Sequence, residues 1–98
     1  MLNWMVEDTH ISIGLNLVEM GQYDNSVAYF ERRIEVDPRN FKLYFWLGYV
    51  YRRYGLSHQK EVFHDGHLIK RNNTKDSIFC FEKSIEYYQK AMEVHKAK

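Results

Sequence analysis

Apolar residues at Val6, Ile13, Leu17 and Met20 recur at helical spacing and predict a first helix. Gly21 can supply the left-handed residue that ends it. Asp24 is the expected N-cap of a second helix running to about Val36. Pro38, in the stretch DPRN, stops that helix, because proline cannot continue it. Asn40 is the expected cap of a third helix that ends at Gly55. Asn73, with Asp76 three residues later, resembles a capping arrangement for a fourth, running unbroken to about His95.

The segment LSHQKEVFHDGHLIKRNN, between the third and fourth helices, breaks this pattern. Asp65-Gly66 at its centre suits a two-residue type I′ turn. The implied pairing sets Glu61 opposite Lys70, Val62 opposite Ile69 and Phe63 opposite Leu68. An isolated two-stranded hairpin is marginal in water. The segment therefore reads either as a small β-hairpin leaning on the helices or a partner, or as a flexible loop or short helix.

The chain also repeats itself. Gly48 follows Gly14 at the same interval as Gly55 follows Gly21, and IGLNLVEMG aligns with LGYVYRRYG. SVAYFERRIE, from Ser26, aligns with SIFCFEKSIE, from Ser77, at an offset of 51. It aligns as well with the stretch from Ser84, at an offset of 58. The two registers differ by seven residues, about two helical turns, and bury nearly the same face. The Ser77 register needs the shorter insertion and is the expected one.

Helix, glycine turn, helix and DPRN turn, then the same order again: this resembles the tetratricopeptide repeat family, a helix-hairpin repeat of about 34 residues. Ile13, Gly14, Leu17, Gly21, Tyr23, Ser26, Phe30 and Pro38 carry the resemblance in the first unit. In the second, Tyr44, Leu47, Gly48, Tyr51 and Gly55 match the first helix, and Ser77, Phe81 and Ser84 the second. His10 and Arg33 depart from it, standing where the family often has Trp and usually has Ala. The resemblance implies an all-α fold of antiparallel helix hairpins, about four helices in one domain over residues 1–98. The first unit spans about 7–40 and the second about 41–96, with an insertion at about 56–73.

The stretch NFKLYFWLGYVYRRYG, residues 40–55, interleaves aromatic and basic side chains. Repeat phase turns Tyr44, Leu47, Gly48 and Tyr51 inward, and sets Trp46 and Tyr54 against neighbouring helices. The face left over carries Lys42, Phe45, Tyr49, Arg52 and Arg53. By resemblance this face lines the concave groove where such repeats bind peptides. The first unit supplies Asp8, Ile11, Leu15, Val18 and Glu19 to the same groove. Ile11 and Leu15 stand where a carboxylate clamp would begin, so an apolar or aromatic-anchored ligand segment is expected instead. The plain alternative is that these aromatics only pack the core or a repeat interface.

Composition narrows the partner. Lys and Arg number 14 against 13 Asp and Glu, a net charge of +1. Phosphate-tracking proteins normally carry a clear basic excess, so nucleic acid is disfavoured as a partner. No apolar run reaches the ~18–20 residues of a membrane span. The start MLNWMVEDTH lacks the basic and apolar regions of a signal peptide. The one cysteine, Cys80, leaves no intramolecular disulfide, and a reducing cytoplasm fits.

No phosphate loop, nucleophile elbow or paired metal motif is present, so no catalytic residue, cofactor or enzyme activity is expected. His58, His64 and His67 match no zinc spacing and read as solvated; Cys80 reads as a small buried hydrophobe. The expected function is protein–protein interaction. A partner peptide or protein would lie in a groove built by Ile11, Leu15, Lys42, Phe45, Tyr49, Arg52 and Arg53. The alternative is a homo-oligomer whose groove is filled by its own symmetry mate, with Tyr87, Tyr88 and Met92 of the last helix as the surface.

Overall fold

The computed structural model describes residues 8–64, 66–72 and 74–97. Among these, the chain forms α1 (Thr9–Glu19), α2 (Tyr23–Val36), α3 (Phe41–Ser57), a hairpin of β1 (Gln59–His64) and β2 (His67–Asn72), and α4 (Thr74–Lys96).

Local chemistry sets most of the helix ends. Asp8 caps α1 by accepting the His10 backbone N–H at 2.8 Å. Gly21, at φ 75°, turns the chain after α1 in the left-handed region. The second helix begins at Tyr23, with Gln22 as its cap residue and no side-chain cap bond. Asp24, the expected cap, is instead a first-turn acid, favourable beside the exposed N–H groups. Asp37 and Pro38 end α2. Asn40 caps α3 as expected, its Oδ1 accepting from the Lys42 N–H at 3.2 Å. The Tyr44 hydroxyl reaches back to the Pro38 carbonyl at 2.9 Å and ties the DPRN turn to α3. The expected cap Asn73 lies outside the described residues; α4 then runs unbroken to Lys96.

The hairpin forms in the expected register, with Glu61 opposite Lys70, Val62 opposite Ile69 and Phe63 opposite Leu68. Gly66 takes φ 77°, as its turn requires, while position 65 lies outside the described residues.

Gly55 does not end α3. The helix continues through it to Ser57, and the Phe81 ring lies 2.8 Å from where a Cβ would stand. Gly14 has the same relation to the Phe30 ring, and Gly48 to the Tyr88 ring. Each close approach is marked by a serine. Ser26 Oγ donates to the Gly14 carbonyl at 2.8 Å, and Ser84 Oγ to the Gly48 carbonyl at 2.7 Å. Ser77 Oγ meets the Gly55 carbonyl at 3.4 Å. Because Gly48 is the counterpart of Gly14, Ser84 and not Ser77 is the counterpart of Ser26. The expected Ser77 register is thereby corrected to the offset of 58. The reason is length: α3 outruns the point where α1 stops, and α4 starts correspondingly early. The second helix pair gains two turns in which Ser77 and Phe81 repeat the contact on Gly55.

On α4 the small buried residues Ser77, Ser84 and Ala91 stand seven apart, as do the rings of Phe81, Tyr88 and His95. Opposite them on α3 lie Gly55, Gly48 and Phe41, also seven apart, with Phe41 and His95 rings 4.4 Å apart. A seven-residue repeat holds one seam in contact along a pair of helices.

The core joins both units. Ile11, Val18, Phe30, Leu43, Leu47 and Val50 are at most 2% exposed. Tyr51 and Cys80 complete the cluster. Burial of each such large side chain contributes about 1.5–3 kcal/mol. Tyr44, Leu47, Gly48 and Tyr51 face inward as expected, and Tyr54 stacks on Tyr23 of α2 at 5.0 Å. Arg33 is half-buried where the second unit has buried Ala91, and its Nε has no partner among the described residues.

Candidate interaction surface

Lys42, Phe45, Tyr49, Arg52 and Arg53 follow the spacing of one face of α3. Phe45 and Tyr49 are half-buried, so each ring is anchored and still open on one side. Trp46 locks both, meeting Phe45 edge-on at 5.2 Å and Tyr49 edge-on at 5.3 Å. Phe45 also lies 5.4 Å from Tyr88 of α4.

Arg53 is held at three points. Its Nη1 donates to the Tyr49 hydroxyl at 2.8 Å and to Glu19 Oε1 at 3.4 Å. Its guanidinium carbon lies 5.8 Å from the Tyr49 ring centre, within cation–π range. The Tyr49 hydroxyl bond, the largest influence, keeps Arg53 still more firmly protonated. Arg52 is exposed on the other side, towards α4. Burial pushes the Tyr88 phenol above its ordinary value, and the Arg52 charge pulls it back. Lys42 is half-buried in the first turn of α3.

The first unit contributes less than expected. Ile11 is 0% exposed and Val18 is 1% exposed. Both were expected on the groove; both are core residues, because α2 and α3 close over that side of α1. Asp8 is engaged as the α1 cap. Leu15, half-buried, and Glu19, exposed, are what α1 presents at this surface.

Two of the cavities among the described residues flank the start and the end of α3. One, of about 430 Å³, opens between the start of α3 and the end of α4, lined by Phe41, Phe45, Tyr88, Ala91, Met92 and His95. Tyr88 was expected on a self-association surface; its place beside Phe45 was legible only through the Ser84 register, which aligns it with Phe30. The other cavity, of about 290 Å³, lies where the starts of α2 and α4 meet the end of α3, with Asp24, Tyr54, Asp76 and Cys80 among its walls. Burial, and then the Asp76 and Asp24 charges, push the Cys80 thiol up. A thiol so placed stays protonated and is a poor nucleophile. No group of three or more His, Cys, Asp or Glu among the described residues is arranged to hold a metal ion. No helix among them is long and apolar enough to cross a membrane.

Residues 8–40 match the tetratricopeptide repeat family model. Comparison with curated proteins found no match, and comparison with solved structures found none. Repeats of this family are typically non-enzymatic modules for protein–protein interaction. The matched segment, which is similar to a tetratricopeptide repeat, covers the first helix hairpin, and the Gly48–Ser84 contact repeats its central Gly14–Ser26 contact in the second.

Proposed function

We infer that the α3 face binds a segment of a partner protein, with Tyr49 and Arg53 at its centre. The observation that carries this reading is the Tyr49–Arg53 pair: an anchored aromatic ring and a guanidinium bonded at 2.8 Å, both half-buried. Tyr and Arg dominate interface hot spots because each offers a large contact area at low entropic cost and a strong polar contact. Leu15 and Phe45 supply apolar flanks, and Lys42 and Arg52 supply positive charge. The matching segment carries an apolar or aromatic anchor with acidic residues beside it. Metal, cofactor and catalytic chemistry have no part in this reading.

The test is a random-peptide display selection on the wild-type chain, with counter-selection on Tyr49→Ala/Arg53→Ala. Enrichment of acidic, apolar-anchored peptides that the double variant fails to retain supports the reading. Peptides retained equally by both proteins, or no enrichment at all, sink it.

A further inference from the structure

The two repeat units are not equally covered. Phe45 stands one repeat interval after Ile11, and Tyr88 and Met92 stand 58 after Phe30 and Ile34. Ile11 and Phe30 are fully buried, and Ile34 packs on the core beside them. What covers them is α3, through Leu43, Leu47 and Val50. At the end of the second unit the same positions are open. Phe45 and Tyr88 are half-buried, Met92 is 58% exposed, and the 430 Å³ cavity lies between them. Ile85, the counterpart of half-buried Val27, is likewise 58% exposed.

Part of the covering face exists a second time, on α1. Ile13 and Met20 of α1 stand one repeat interval before Leu47 and Tyr54, which fasten α3 onto the first unit. Ile13 is 44% exposed and Met20 is 60% exposed. The chain thus shows an open acceptor between α3 and α4, and a donor face on α1 that keeps the apolar positions of Leu47 and Tyr54, while Thr9 and Asn16 stand where α3 has Leu43 and Val50.

Charge agrees with this pairing. Glu19 and Arg53 occupy the same repeat position, and they meet where α1 and α3 lie side by side. At a junction between copies, the Arg53 of one chain would face the Glu19 of the next. The row of opposite charges would continue across the boundary.

We propose that a second copy of this chain docks its α1 into the α3–α4 groove of the first, as α3 docks onto α1 and α2 within the chain. Such an interface is heterologous: donor and acceptor are different surfaces, so assembly proceeds head to tail. Stacking neighbours is also how repeat units bury the face each leaves open.

Sedimentation velocity across a concentration series tests this, with Ile13→Glu as the donor variant and Met92→Glu as the acceptor variant. Both sites are exposed, and circular dichroism checks that each variant folds. Wild-type mass should rise past the dimer. Each variant alone should stay monomeric at concentrations at least tenfold higher. An equimolar mixture of the two should form dimers and nothing larger, since one intact donor and one intact acceptor remain. A wild type monomeric throughout overturns the proposal. So does a mixture that stays monomeric, or a dimer that Met92→Glu abolishes and Ile13→Glu leaves intact, which is the mark of symmetric α4 pairing.

Discussion

Arg53 Nη1 lies 3.4 Å from Glu19 Oε1, and the two residues occupy the same position in consecutive repeat units. The contact crosses from α3 to α1 on the proposed binding face. It is partly solvated, so its contribution to stability is small, about 0–1 kcal/mol. Its larger effect is to hold the guanidinium against Tyr49.

Glu19→Gln should therefore shift the urea midpoint little while loosening Arg53. A double-mutant cycle with Arg53→Gln should give a coupling below about 1 kcal/mol that fades as salt is raised. A coupling of several kcal/mol, insensitive to salt, would show that this pair is buried and structural.

Gly14→Ala places a methyl group against the Phe30 ring. Overpacking of this kind costs about 1–3 kcal/mol. Phe30→Leu should recover part of that loss in a Gly14→Ala background, because it removes the ring the methyl group meets. Chemical denaturation reads both values, and the absence of any recovery would refute the steric account.

Ser84→Ala should cost more than Ser77→Ala. The Ser84 hydroxyl bond is 2.7 Å long and the Ser77 contact 3.4 Å. Removing a well-formed buried hydrogen bond costs about 0.5–1.5 kcal/mol. Both changes add the same helix propensity, so the difference between them isolates the bond. Equal losses would mean that both hydroxyls serve α4 alike.

Stability should fall in alkali. Burial, and then the Glu31 charge, push Tyr51 up to about 12. An unfolded tyrosine titrates near about 10. Between these values the folded chain keeps a proton that the unfolded chain has lost, so stability drops as pH rises through the window. Below the window the contribution is fully present. Tyr51→Phe should flatten the decline in urea midpoint between about pH 9.5 and pH 11.5. Tyr87 and Tyr88 are also raised, chiefly by burial, and leave a residual slope. An unchanged slope in Tyr51→Phe would remove Tyr51 from the account.

Much of this fold was legible because local chemistry repeats. The DPRN turn, the Asn40 cap and the cross-strand pairs of the hairpin each rest on a few adjacent residues. What escaped depended on the second unit's length. Gly55 looked like Gly21 in the alignment, yet one is helical beneath a phenyl ring and the other turns the chain at φ 75°. The spacing of Ser77, Ser84 and Ala91 held the answer, since a seven-residue run of small residues marks a long seam. Ile11 and Val18 stand on the groove only by the family resemblance, which does not say how far α2 and α3 close over that face of α1. On α3, where one helix face stays uncovered, Phe45, Tyr49, Arg52 and Arg53 all retain some exposure.

The seven-residue seam carries a price in uniqueness. Sliding α4 along α3 by seven residues would set Ser84 on Gly55 and Ala91 on Gly48, small residue on glycine once more. We predict that the paired base of the hairpin, Gln59 opposite Asn72, selects between these two alignments by holding the end of α3 beside the start of α4. The slipped form would carry the start of α4 about 10 Å past the end of α3. Replacing the hairpin with a long flexible linker should then populate the slipped form, read by cysteine cross-linking at paired positions. A single trapped species with the linker in place would show that the helices choose for themselves. On this view the β-arm is a clasp: it pins two ends together so that two nearly degenerate zippers close on the same tooth.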